Sequence, residues 1–126
     1  MKLNTLLLVA ALVGAVFGIA FVVAPGPLLS VYGVTTDKAG LLLAQLFGAA
    51  LLGFAVLDWF ARDVRDPDAQ RAVVYANLTG DGIGFVVILI GQLAGIANAV
   101  GWSTVAIYLA FALAFAYVGI IRPRAA

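Results

Sequence analysis

The 126-residue sequence contains no cysteine and no histidine, and only 10% of its residues are charged. Without these two residue types the chain has no disulfides, no catalytic thiol, and none of the cysteine or histidine ligands on which zinc and haem sites usually depend. A soluble domain usually carries about 25% charged residues. The seven scattered Lys and Arg residues cannot build the clustered basic surface that nucleic-acid binding needs. We therefore expect no metal site, no cofactor, no nucleic-acid partner and no soluble domain.

Apolar residues dominate instead, at 65% of the chain, with a mean hydropathy of +1.16. One transmembrane helix needs about 20 apolar residues, and four segments of that kind are separated by charged or Pro- and Gly-containing breaks. They cover residues 3–24, 39–61, 68–96 and 100–121. The sequence predicts one all-α domain over residues 1–126, a four-helix transmembrane bundle in contact with the lipid bilayer. The first apolar run exceeds the roughly 7–15 residues of a secretory signal core, so we predict a retained span.

The three breaks between the spans carry their own local signals. The stretch "PGPLLSVYGVTTDK" predicts a short interfacial helix after the first span. In "RDVRDPDAQR", Asp66 is predicted to cap the third span and Pro67 to begin it. The tight "GIANAVGW" break predicts a hairpin of the third and fourth spans. "GIAFVV" at 18–23 also resembles "GIGFVV" at 82–87, which admits either two tandem hairpin repeats or a chance match.

Positive charge is distributed unevenly between the two sides of this layout. Lys38 alone lies on one side of the predicted bundle. The opposite side carries the remaining basic residues: Lys2, Arg62, Arg65, Arg71, Arg122 and Arg124. By the positive-inside rule, we predict a multi-pass membrane protein with both termini in the cytoplasm.

Small residues recur at helical spacing in every span. Helices in a bilayer associate through close backbone approach and interhelical hydrogen bonds, which requires small residues in register. The predicted packing positions are Gly14, Gly18, Gly53, Gly80, Gly84, Gly91 and Gly95. Two interpretations remain open: packing within the monomer, and contacts between copies of a homo-oligomer.

An acidic residue, Asp81, lies in the middle of the third span. It follows Arg71 by ten residues, which at about 1.5 Å per residue places it about 15 Å into the membrane. On a helix, Asn77 and Gln92 fall within about 60° of Asp81, so one face is polar. Because every basic residue lies at a span end, the carboxyl is either protonated, ionised in water or ionised against a bound cation. Intramembrane acids indicate a functional site by default.

The neighbouring spans offer candidate partners for this polar face. Tyr108 of the fourth span is the predicted hydrogen-bond partner of Asp81, and Gln45 of the second span is expected nearer to Gln92. Three roles remain open: structural hydrogen bonding between helices, a proton or cation site, and a polar contact to a ligand or a partner membrane protein. Asp58 and Arg62 are spaced i,i+4 and predict a helical ion pair at the end of the second span.

No arrangement of residues suggests an enzyme. No two carboxylates are placed for acid–base catalysis, and Ser30 and Ser103 have no neighbouring base to activate a nucleophile. We therefore expect a non-enzymatic protein.

The layout resembles a known group of membrane proteins. The first span, the "PGPLLSVYGV" segment, the second span ending "GAALLGFAVLDWFAR" and the closing hairpin resemble small four-helix bacterial inner-membrane proteins of the DoxX-like kind. The resemblance covers nearly the whole chain and implies the four-helix fold and a location in the bacterial inner membrane. Some DoxX relatives are associated with quinone-linked redox partners, and no residue here matches that role. Two functions are therefore expected: a structural or accessory membrane protein, or a proton- or cation-conducting channel or transporter subunit that uses the stripe around Asp81.

Overall fold

A computed structural model describes residues 1–121, and its regular structure is entirely helical in that range. The helices are α1 (Leu3–Val23), α2 (Pro25–Val31), α3 (Lys38–Ala61), α4 (Pro67–Leu93) and α5 (Gly101–Ala116), the last continued by a π-helical turn over Tyr117–Ile121. Four helices, with α5 counted through Ile120, are long and apolar enough to cross a membrane. The prediction of an all-α bundle with four spans is confirmed, and this is the architecture of a multi-pass membrane protein.

The helix boundaries follow from capping and turn chemistry. Asp66 accepts a hydrogen bond from the Ala69 amide at 2.9 Å, and Pro67 is the first residue of α4, as predicted. Asp37 caps α3 in the same way by accepting from Gly40 at 2.9 Å. The helix α4 ends at Leu93, earlier than predicted, because the backbone turns at Gly95, whose φ of 76° is left-handed.

The four long helices form two antiparallel hairpins. Helix α1 packs along α3, and α4 packs along α5. The start of α1, the end of α3, the start of α4 and the end of α5 meet in one apolar core, so successive spans alternate in direction. The core consists of Leu6, Leu7, Ala61, Val74, Phe115 and Val118. We call this the charged end, because Lys2, Arg62, Arg65 and Arg71 lie there; Arg122 and Arg124 lie outside the described residues.

Polar contacts join the two hairpins at the opposite end, which we call the α2 end. The backbone N–H of Asn98 donates to the Tyr32 carbonyl at 2.8 Å, and its side chain donates to the Val31 carbonyl at 3.0 Å. Thr104 Oγ1 donates to the Tyr32 hydroxyl at 2.9 Å. The loop that follows α2 is therefore fixed to the loop between α4 and α5.

Glycines allow the backbones of α1 and α3 to touch. A Cβ atom added at Gly48 would lie 2.8 Å from the Gly18 carbonyl oxygen, and one added at Gly18 would lie 3.0 Å from the Gly48 carbonyl oxygen. Gly14 faces Ala55 in the same interface, with 3.4 Å between the added Cβ and the alanine Cβ. Close backbone approach of this kind is how membrane helices gain packing energy without a hydrophobic driving force.

The other predicted packing glycines have different surroundings. Gly84 lies directly against the Tyr108 ring, so it belongs to the α4–α5 interface. Gly91 has only the tip of Ile96 nearby, 3.9 Å from an added Cβ, and Gly95 ends the helix. Gly53 and Gly80 have no atom within 4 Å of an added Cβ, so both face outward. Their faces are open to lipid or to another helix.

The sequence similarity between the two hairpins does not extend to packing at the aligned glycines. Gly18 lies against Leu52, with 2.8 Å between an added Cβ and the leucine Cγ, whereas a Cβ added at its counterpart Gly82 meets no atom within 4 Å.

Candidate functional site

Among the residues that the structure describes, the most deeply buried polar one is Asp58, which is 2% exposed. The buried residues of α3 are Gly48, Ala55, Asp58 and Ala61. Those other than Asp58 are small, which lets neighbouring helices approach α3 closely. Burial of a carboxylate without a partner is costly, so its surroundings are informative.

Asn77 of α4 is the hydrogen-bond partner of Asp58. Its Nδ2 donates to Asp58 Oδ1 at 2.7 Å and to the Val73 carbonyl at 3.1 Å, one turn back on α4. The Asn77 side chain is itself only 7% exposed. Helices α3 and α4 belong to different hairpins and make few other contacts. The Asp58–Asn77 hydrogen bond therefore joins the two hairpins inside the membrane-spanning region.

The predicted ion pair between Asp58 and Arg62 is wrong. Arg62 folds back over the Trp59 indole, with the guanidinium carbon 3.9 Å from the ring centroid, and its Nε donates to the Trp59 carbonyl at 2.9 Å. This arrangement satisfies the cation at the helix end through a cation–π contact. Asp58, one turn earlier on α3, accepts a hydrogen bond from Asn77 of α4 instead. Within residues 1–121 the one salt bridge is Arg71–Asp68.

Asp81 lies one helical turn beyond Asn77, at the predicted position on the polar face. Its side chain is half-buried, and it makes none of the hydrogen bonds found within residues 1–121. Tyr108 approaches this region as expected, but its ring packs on Gly84 and its hydroxyl does not bond to Asp81. Asp81 thus lies one helical turn from Asn77, the partner of Asp58, and three residues before Gly84, on which the Tyr108 ring packs. These four side chains, Asp58, Asn77, Asp81 and Tyr108, form what we call the polar cluster.

The remaining predicted polar residues lie elsewhere. Gln92 is buried, and its Nε2 donates to the Asn98 carbonyl at 2.8 Å, which stabilises the α4–α5 loop. Its Oε1 lies against Gly101 and is the one buried side-chain polar atom without a partner in the described residues. Gln45 donates to the Val22 carbonyl at 3.0 Å and so belongs to the α1–α3 hairpin. Gln92 and Gln45 therefore form hydrogen bonds with backbone carbonyls, and neither bonds to Asp81 or to the other.

The polar cluster contains two carboxylates and no basic group. Among the described residues every Lys and Arg lies at or beyond a helix end, and no group of three acidic residues is close enough to hold a metal ion. The cluster can bind a proton, and its side chains can donate and accept hydrogen bonds between helices. It has no nucleophile with an activating base.

Asp58 was missed as a member of the site because it was interpreted from its own helix alone. The spacing of Asp58 from Arg62 matched an ion pair, and that local signal concealed a second one. Ala55 and Ala61 lie three residues to either side of Asp58, and an acid flanked by small residues at this helical spacing is in a position to face a neighbouring helix. That pattern was available in the sequence.

Comparison with known proteins identifies a family. Residues 1–121 match the family described as "Domain of unknown function (DUF8292)". The chain belongs to this family. No curated protein and no solved structure matches the chain. The DUF8292 match covers all four spans and all four residues of the polar cluster, which lie on α3, α4 and α5. Membership of the DoxX-like group stays a prediction.

Proposed function

We propose that this DUF8292 protein is a non-enzymatic structural or accessory protein of the membrane, and that its intramembrane polar residues hold its own helices together. The observation that carries the proposal is the Asp58–Asn77 hydrogen bond of 2.7 Å between the hairpins. Asn77 and Gln92, two members of the predicted stripe, are buried within the subunit. A stripe that lined a shared pore would instead face outward from each subunit.

The proposal includes the location and orientation of the protein. Lys2, Arg62, Arg65 and Arg71 lie at one end of the four spans, and Lys38 begins α3 at the other. This asymmetry supports a cytoplasmic charged end by the positive-inside rule, in the bacterial inner membrane that the DoxX-like resemblance implies. Partner membrane proteins and a homo-oligomer belong to the proposal as well, since an accessory subunit acts through them.

Ion flux through purified protein in liposomes tests the proposal. We expect proton and sodium fluxes, followed with a trapped dye under a potassium diffusion potential, to equal those of protein-free liposomes. Asp81→Asn is expected to change nothing. The matched control is Asp63→Asn, which alters an exposed acid at the charged end. The structural role would be overturned if the wild-type protein conducted protons or sodium, if Asp81→Asn abolished that flux, and if Asp63→Asn left it intact.

One observation favours the second function, a proton- or cation-conducting subunit. The Asp81 carboxylate has no hydrogen-bond partner within residues 1–121, and it lies one helical turn from Asn77, which bonds to a second acid, Asp58. Two acids without a neighbouring cation attract a proton or a metal cation. A single four-helix subunit rarely encloses a pore, so this function requires an oligomer with Asp81 between subunits. The same flux assay decides between the two functions.

A further inference from the structure

A polar pocket of about 340 Å³ opens at the charged end, between the start of α1, the α3–α4 loop and the first turns of α4. Its polar lining consists of Lys2, Asn4, Arg62, Asp63, Arg65 and Gln70. The pocket does not include the polar cluster and serves none of its contacts. It lies where the spans begin and end, at the level of the lipid headgroups.

The pocket is electropositive. Its lining includes three basic side chains and one acidic side chain, Asp63. None of these four side chains makes a salt bridge within residues 1–121. Lys2 and Arg65 are exposed to the surroundings. Clusters of Lys and Arg at the cytoplasmic ends of transmembrane helices recognise anionic lipid headgroups.

Arg62 is held in a position to bind an anion. Stacking on Trp59 and the bond from Nε to the Trp59 carbonyl fix its guanidinium. Its two terminal nitrogens donate no hydrogen bond to residues 1–121. A guanidinium fork presents two parallel donors that match the oxygens of a phosphate group. The loop beside it is also fixed, because Gln70 Nε2 donates to the Val64 carbonyl at 2.8 Å.

An apolar groove of about 220 Å³ adjoins this pocket along the α1–α3 hairpin. Ala11, Ala15, Leu52 and Val56 are among the residues that line it. Asn4 and Ala11 are seven residues apart, which places pocket and groove on the same side of α1. Trp59 lines the groove and also lies under the Arg62 guanidinium, so it connects the two.

We infer that the pocket binds the phosphate headgroup of an anionic phospholipid, with an acyl chain along the α1–α3 groove. Charge complementarity selects the headgroup, and the adjoining apolar groove selects a lipid over a free phosphate. The proposal does not depend on the role of the polar cluster.

Lipid binding to the purified full-length chain in detergent tests the inference, with phosphatidylglycerol and the zwitterionic phosphatidylcholine as probes. We expect phosphatidylglycerol to bind more tightly, and Arg62→Gln and Arg65→Gln each to weaken that binding about fivefold, as expected for one cation near an anionic lipid. The matched control is Arg71→Gln, which removes a cation at the same end but outside the pocket. Arg65 and Arg71 are both exposed, so we expect both variants to fold. The difference in lipid affinity between them therefore measures the contribution of the pocket.

If Arg65→Gln and Arg71→Gln weakened phosphatidylglycerol binding equally, general surface charge would explain the binding and the inference would be overturned. Equal affinity for the two lipids would overturn it as well. Inorganic phosphate serves as the competitor, and Ala15→Phe fills the groove. We expect phosphate to leave the lipid bound and Ala15→Phe to weaken it. Displacement by phosphate with no effect of Ala15→Phe would make this a phosphate site and contradict the lipid proposal.

Discussion

Asn77 on α4 donates a hydrogen bond of 2.7 Å to Asp58 on α3, across the boundary between the two helical hairpins. The hairpins are otherwise joined by apolar packing at the charged end and by loop contacts at the α2 end. The bond lies between these two junctions, within the spans. A buried polar group that loses its partner carries a large desolvation cost, so Asp58 and Asn77 favour the docked arrangement of hairpins over a separated one.

Replacing Gly48 with alanine is expected to weaken the α1–α3 hairpin. The new methyl group would lie 2.8 Å from the Gly18 carbonyl oxygen and 2.7 Å from the Phe21 Cβ, and the first of these is rigid backbone. Overpacking of this kind costs about 1–3 kcal/mol in the free energy of unfolding. The matched control is Gly53→Ala on the same helix, where no atom lies within 4 Å. Reversible unfolding in mixed micelles measures both, and equal stability of the two variants would contradict the close approach.

Removing the Asp66 cap is expected to loosen the start of α4. Its Oδ2 accepts from the Ala69 amide at 2.9 Å, and loss of an N-cap acceptor costs about 1 kcal/mol. Asp66→Ala should therefore increase hydrogen exchange at the first-turn amides of α4, measured by mass spectrometry. Asp63→Ala is the control, because Asp63 is an exposed loop acid that caps no helix. If the two variants exchange alike, the cap contributes nothing.

The absence of native cysteine makes the orientation directly measurable. Asp63→Cys places a thiol at the charged end, and Thr35→Cys places one at the α2 end; both positions are exposed. We expect a membrane-impermeant maleimide to label Thr35→Cys in intact spheroplasts and to label Asp63→Cys only after the membrane is opened. The reverse pattern would contradict the cytoplasmic location of the charged end.

The Asp81 carboxylate distinguishes the structural function from ion conduction spectroscopically. If Asp81 serves the packing of its own subunit, its infrared carboxyl band should stay unchanged when sodium is varied over protein in lipid. Asp81→Asn identifies the band. A sodium-dependent shift that disappears in Asp81→Asn would mean that the site meets ions, and would favour the second function.

The helices were predictable because their signals are local. Apolar run length, the Asp66–Pro67 start and the tight break before Trp102 each depend on a few adjacent residues, and these elements appear at or near the expected positions. The left-handed turn at Gly95 shortened α4, since a glycine at helical spacing serves equally as a packing or a terminating residue.

The polar contacts were less predictable because they depend on how each helix is rotated and which helices pair. Asp81 and Tyr108 were expected to bond, and the Tyr108 ring packs on Gly84 instead. Asp58 was paired with Arg62 by sequence spacing, although the indole of Trp59 offered that cation a closer partner. Gln45 bonds within its own hairpin because α1 packs along α3 for most of their length.

The most direct test of the account is a double-mutant cycle between Asp58 and Asn77, read as the free energy of unfolding in mixed micelles. With Asp58→Ala, Asn77→Ala and the double variant, we predict a favourable coupling of about 0.6–2 kcal/mol, the range for hydrogen bonds between membrane helices. The exposed Asp68–Arg71 pair provides the control cycle, with a coupling of at most about 0.5 kcal/mol. A coupling between Asp58 and Asn77 no larger than that of the control would contradict the claim that these residues hold the two hairpins together.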